Sequence, residues 1–414
     1  MSVKHLQWAL PAVLLWQGLT GVGFAQPAPS YPSLVKAVGT DAPRLRQSAA
    51  ELAAAAGHAR QAAAWPNPGL AVEVENIAGS GLYSGTSQAQ TTLALTQPVP
   101  LLGQQSAKRE AGQSQYAAAQ ALYAQQRAQF AYELAIAYAA AEAAQQRLQL
   151  LSEDLDRASE DTRVAQALVE AGRESPVRAL LAQSAQAGVQ SLKATAGAQL
   201  QASLAKLSIL TGADQPYTSI DTSLLAVADH GADVAAYTAG DSLDLQVHQA
   251  QRDAAEQQIV VERKRSLPQF GVLVGLRRFN GDSATAWVAG LSVSVPLFDR
   301  NTGNIAAARA QRDAADARLF TARQETAANW QTAVAFASAA TERLQATRAG
   351  DAAAEQAHRL ARIGYEAGRL NLLELLTARR NLADARAALL DAKMAAIEAR
   401  ASLFRLQGRI PFGE

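Results

Sequence analysis

Cysteine is missing altogether from the 414 residues. That excludes disulfides, thiolate metal sites and an N-terminal lipidated cysteine. Aromatic residues are scarce at 6%, so a thick globular core is poorly supplied, although nearly half the chain is apolar and much of that is alanine. Charge of either sign is nearly cancelled, at +1, which gives no electrostatic case for nucleic acid. The few histidines are His5, His58, His230, His248 and His358. None pairs at the spacing of a helical zinc site, and no carboxylate cluster flanks them. There is no phosphate loop and no dinucleotide fingerprint. Ser175, Ser184 and Ser208 lack the context of a nucleophile elbow. The sequence therefore offers no catalytic residue, no metal site and no cofactor site, and it does not read as an enzyme.

What is present begins with an export signal. Lys4 and His5 precede an apolar run from Trp8 to Phe24, broken by Pro11 and Gln17. Gly23-Phe24-Ala25 is a small-x-small cleavage site, so residues 1–25 read as a signal peptide. An uncleaved anchor is the other reading, but the run is short and interrupted. No later run is long enough or apolar enough for a helical span.

The mature chain reads as two copies of one pattern. Residues 34–64 form a helix stopped by Trp65-Pro66-Asn67-Pro68. Two strands follow within 70–97, around a Gly/Ser loop at 78–88, and helix formers then run from about Gln104 to Ala171. In the second half, Ser242–Ser266 is a helix. Phe270, Val272, Val274 and Leu276 alternate with smaller or polar residues in a strand. The return strand has Trp287, Ala289, Leu291 and Val293 on one face, and Val288, Gly290, Ser292 and Ser294 on the other. Pro98 and Pro296 are read as the strand-to-helix transitions. A helix then runs from about Thr302 to Ala367. Val169-Glu170-Ala171-Gly172-Arg173 matches Tyr365-Glu366-Ala367-Gly368-Arg369, with Gly172 and Gly368 offset by 196 positions. Leu207, Leu210 and Gly212 match Leu403, Leu406 and Gly408 at the same offset. The repeats span 26–212 and 242–414, with hairpins at 70–97 and 269–296. Residues 213–241 are an irregular connector.

Each long helix would reach on the order of 100 Å, beyond any single core, so its partners must be other helices lying alongside. Each strand has the length that crosses a tilted bilayer, with one greasy face. Four strands cannot close a membrane barrel, which needs about eight or more, and open edges are forbidden in lipid. The strands can span a membrane only by pooling with other copies.

With these features the sequence resembles the TolC family of outer-membrane efflux ducts. Val295-Pro296-Leu297-Phe298-Asp299-Arg300-Asn301-Thr302-Gly303-Asn304-Ile305, together with Asn67-Pro68 and Glu73-Val74-Glu75-Asn76, is most similar to the CzcC-like heavy-metal branch. The resemblance implies a mainly α fold with a β-barrel part: a homotrimer with a twelve-stranded barrel in outer-membrane lipid and a twelve-helix barrel in the periplasm. It implies two partners, a periplasmic adaptor and an inner-membrane pump of the RND class, with heavy-metal cations of the cobalt, zinc or cadmium type as cargo. A multidrug duct of the same fold and an adaptor-type scaffold are the alternatives. The resemblance also places the Gly172 and Gly368 turns at the periplasmic tip. Glu170, Arg173, Glu366 and Arg369 flank them as candidates for adaptor docking. Glu374 falls at the position of an acidic gate residue, Arg178 is its first-half counterpart, and Thr377 stands where a second acid is common. A Glu374–Arg178 latch, within or between subunits, is the expectation.

Overall fold

A computed structural model describes residues 26–229 and 242–412; the signal segment and most of the connector's second half lie outside that range. The elements are α1 (Tyr31–Asp41), α2 (Pro43–Ala63), β1 (Gly69–Glu75), β2 (Gln90–Val99), α3 (Gln104–Glu170), α4 (Pro176–Thr211), α5 (Leu243–Arg265), β3 (Gln269–Phe279), β4 (Thr285–Ser294), α6 (Thr302–Glu366) and α7 (Leu372–Leu406). The first expected helix is in fact two. Pro43 starts α2, and Ala42 before it is extended at ψ 137°, because a residue preceding proline is pushed out of the helical region.

The four strands form one antiparallel sheet in the order β1-β2-β3-β4. Its register aligns the alternation across all four strands. Leu70, Leu95, Val274 and Ala289 make one row, and Val72, Leu93, Leu276 and Trp287 the next. This face is bare: Leu70 is 69% exposed and Trp287 77%. The opposite face carries Ala71, Ala94, Gly275 and Val288, then Glu73, Thr92, Arg277 and Ala286. Gly275 is required there, since a Cβ would stand 2.6 Å from the Leu93 carbonyl oxygen. β1 and β4 have no outer neighbour among the described residues.

The transition expected at Pro98 lies two residues later. β2 continues through Pro98, which pairs with Gly271, to Val99. β1 begins at Gly69, opposite Thr96, and does not reach Pro98, so the missing proline N–H falls where β2 has only one neighbour. The chain leaves the sheet at Pro100, where Leu101 N donates to the Val99 carbonyl at 2.9 Å; Leu297 N donates to Val295 in the same way at 3.0 Å. Pro100, not Pro98, is thus the counterpart of Pro296, at the same offset as the two glycine turns.

Below the sheet the helices form a single-layer wall. α3 has 67 residues and α6 has 65, so each is about 100 Å long. Near the strands the neighbours run α2-α3-α5-α6; at the other end they run α4-α3-α7-α6. Ala308, Ala315 and Ala322 are buried at heptad spacing, the seam of a coiled coil with small knobs. Close approach is visible at Gly112, where a Cβ would meet that of Ala62 at 2.8 Å.

The one thick core sits at mid-height, where the two sets of helices exchange. Tyr31, Leu134, Tyr138, Leu207, Leu225 and Ile397 are fully buried there. Tyr31 Oη donates to the Pro411 carbonyl at 2.7 Å, and Tyr138 Oη to Thr222 at 2.8 Å. The described part of the connector is more ordered than expected. It holds a 3-10 turn at Leu225–Asp229 and a parallel bridge from Ile220 to Ala28. Buried Glu142 fastens it by accepting from Leu224 N at 2.7 Å and Leu225 N at 3.0 Å.

Candidate functional site: the hairpin tip

Both expected turns are helix hairpins closed by a left-handed glycine. Gly172 has φ 68° and Gly368 φ 70°. Arg173 N returns to the Leu168 carbonyl at 2.9 Å and Arg369 N to Gly364 at 2.8 Å, the Schellman closure. A Cβ would meet nothing within 4 Å at either glycine, so backbone conformation alone demands them. The re-entry differs between halves. Ser175 caps α4, whose first residue is Pro176. Asn371 caps α7 through a capping box: Glu374 N donates to Asn371 Oδ1 at 3.0 Å, and Asn371 N donates to Glu374 Oε2 at 2.9 Å.

That box corrects one expectation. Within the chain Glu374 and Arg178 are not partners. The Glu374 carboxylate serves its own helix start, and Arg178 pairs with Glu174 one turn away at 2.7 Å. In each case a local partner at fixed helical spacing is available without ordering a distant side chain. Glu374 and Thr377 are both exposed, on a shallow groove with Ala353, Ala354 and Ala357 of α6. The Thr377 hydroxyl donates to the Leu373 carbonyl at 2.8 Å. Glu170, Arg173, Glu366 and Arg369 are exposed at the tip, and Glu366 stands 3.8 Å from Arg362.

The structure adds a clamp that sequence reasoning missed. Arg379 of α7 is 8% exposed and sits between two aspartates of α3. Its Nη1 donates to Asp161, and its Nε lies 3.7 Å from Asp154. Below it Leu372, Ala165 and Ala182 seal the two hairpins together. Burial pushes the Asp161 carboxyl above its ordinary value, with Arg379 opposing the shift. Burial holds His358 below its usual range, helped by Arg157 and Arg362. The Tyr365 hydroxyl is buried beside this cluster without a hydrogen-bond partner, and burial raises its pKa. A signal for the clamp existed in the sequence. Leu372, Leu375, Arg379 and Leu382 occupy one buried stripe of α7, so an arginine stands where the period calls for an apolar residue.

Among the described residues, no group of three or more His, Cys, Asp or Glu side chains could hold a metal ion. The arrangement is a wall of helices with a charged tip, its two hairpins clamped together through Arg379.

The outer membrane efflux protein family profile matches residues 34–213 and 238–409. The nickel-cobalt-cadmium resistance protein NccC of Alcaligenes xylosoxydans xylosoxydans is 41% identical over 395 residues, covering 95% of this chain and 90% of its own. The cobalt-zinc-cadmium resistance protein CzcC of Cupriavidus metallidurans is 31% identical, covering 88% and 86%. Among solved structures, CusC superposes with a TM-score of 0.78 at 18% identity over 92% of each chain. The Campylobacter jejuni CmeC outer membrane channel gives 0.78 at 15% identity, covering all of this chain and 95% of that one. At such identities the superpositions speak for the fold, while the profile match spans both repeats. The chain belongs to the outer membrane efflux protein family.

Proposed function

We propose that three copies of this chain form the outer-membrane exit duct of a tripartite efflux system for heavy-metal cations. The observation that carries the assembly is the sheet: four strands with one apolar face and two unpaired edges, above helices far longer than any core in the chain. Lipid forbids open edges, and a closed barrel needs about eight strands or more. Three copies pool twelve, and their helices continue the wall into a tunnel. The duct does no covalent chemistry; its energy comes from an inner-membrane pump of the RND class, coupled through a periplasmic adaptor at the exposed tip charges Glu170, Arg173, Glu366 and Arg369.

Glu374 and Thr377 from three copies line the constriction, and Arg178 of one copy faces Glu374 of the next in the closed state. The metal cargo follows from kinship with NccC and CzcC, whose names carry nickel, cobalt, zinc and cadmium. The deciding experiment is a deletion strain scored for resistance to those four cations and to a panel of organic antibiotics. Loss of metal resistance, restored by the gene, is the expected result. Drug sensitivity with unchanged metal resistance would assign the duct to organic cargo.

A further inference from the structure

We infer that the groove between α3 and α5, at the foot of β2 and β3, is a binding site for an anionic phospholipid of the leaflet facing the helices. The inference rests on the membrane placement of the sheet. The groove has a volume of about 440 Å³ and is lined by Val99 and Phe270 above and by Lys108, Arg265 and the carboxylate of Glu262 below. Val99 and Phe270 pair with each other on the same sheet face as Leu95 and Val274, the apolar face. The cations thus lie just past the end of the lipid-facing band, at the depth of headgroup phosphates.

The groove is internal to one copy. It lies between the two middle helices of the wall and under the two middle strands, away from the β1 and β4 edges where copies would join. Lys108 is exposed, with no ion-pair partner among the described residues. Arg265 places Nη1 3.4 Å from Glu262, whose carboxylate also accepts from Asn301 Nδ2 at 2.7 Å and Gln258 Nε2 at 3.1 Å. The guanidinium keeps further donors for a phosphate.

The charge around it is net positive. The helix ends nearest the strands and the segment joining β4 to α6 carry Lys108, Arg109, Arg263, Lys264, Arg265 and Arg300 against Glu110, Glu262 and Asp299. That excess exceeds the +1 of the whole chain. The loops at the opposite end of the strands, residues 76–89 and 280–284, contain no cation and a single Asp282. The helix end of the strands bears Leu101 and Phe298 in the two matched proline turns, with Phe298 100% exposed. Apolar side chains at a rim with cations beneath them fit acyl chains above and phosphate below.

The test is native mass spectrometry of the purified full-length assembly, titrated with phosphatidylglycerol and with phosphatidylethanolamine. Phosphatidylglycerol is expected to bind preferentially. Lys108→Gln or Arg265→Gln should each weaken it about fivefold and the pair about twenty-five-fold, at the usual worth of a cation near an anionic surface. Arg318→Gln, an exposed cation further along α6, should leave it unchanged. Equal binding of the two lipids, an unaffected double variant, or displacement by inorganic phosphate at matched concentration would overturn the assignment. An assembly that conducts in planar bilayers yet shows no lipid preference ends the lipid site and leaves the duct standing. A chain that forms no conducting assembly removes the membrane placement on which both depend.

Discussion

Arg379 offers the sharpest test of how the hairpins are held. Arg379→Met keeps the stem and deletes the guanidinium, leaving Asp154 and Asp161 close together at a seam where each side chain is at most one-fifth exposed. Removing one partner of a buried ion pair costs about 3–5 kcal/mol, because the remaining charge is stranded. Asp161→Asn is different. Burial already raises the Asp161 pKa despite the arginine, so burial of this carboxylate costs more than its partner returns. Arg379 also retains Asp154. The asparagine variant should therefore lose less than about 1 kcal/mol. The pH dependence has a definite sign. Asp161 holds its proton more tightly folded than unfolded, so its ionisation removes stability as pH rises from near 3.8 through the folded value. In Arg379→Met that effect grows, because the opposing cation is gone. The variant's deficit should be largest at pH 7 and shrink toward pH 5. Unfolding midpoints of the detergent-solubilised protein at the two pH values measure this. Equal losses for the two variants at pH 7, or a deficit that deepens on acidification, would refute the reasoning.

Three further outcomes follow from the same geometry. Gly368→Ala puts a Cβ into the left-handed region and should cost about 1–2 kcal/mol, seen as a lower unfolding midpoint and faster proteolysis at the tip. Glu374→Ala removes both the capping-box acceptor and the proposed acidic ring. Its helix cost is about 1 kcal/mol, while bilayer recordings should show higher conductance and weaker cation preference; unchanged currents would return Glu374 to a purely capping role. Gly275→Val drives a branched side chain against the Leu93 carbonyl and Ala94, so the β2–β3 pairing should fail and heat-stable assembly on gels should be lost.

Most of the architecture was legible because two periodicities are strong here. Strict alternation from Trp287 to Ser294 fixes which face of β4 is greasy, and the register then repeats that choice across all four strands. Long runs without proline or central breaks gave α3 and α6 to within a residue or so of their ends. The misses occurred where a tertiary neighbour overrides a local rule. By local rule a proline ends a strand, yet Pro98 is tolerated inside β2 because β1 does not extend beside it. Pro100-Leu101 and Pro296-Leu297 are one turn used twice, a match that appears once β2 is seen to run through Pro98.

The tip shows the same division between local and distant causes. Gly172 and Gly368 declare themselves, since only backbone conformation is at stake. The state of Glu374 within one chain is also local: Asn371, three residues earlier, completes a capping box with it, so the within-chain contact with Arg178 does not form. Arg379 required knowledge of the opposite helix. A charge on an apolar stripe is intelligible only when its counter-ions are known, and these lie 218 positions away in the case of Asp161. That separation bears on mechanism. The clamp ties the first hairpin to the second by side chains alone, whereas each hairpin is closed by its own backbone. Any motion at the tip should therefore separate hairpin from hairpin before it opens either turn. Arg379 lies about two to three turns above the glycine of its own hairpin, so below it only the small apolar contact of Leu372 with Ala165 and Ala182 has to be broken.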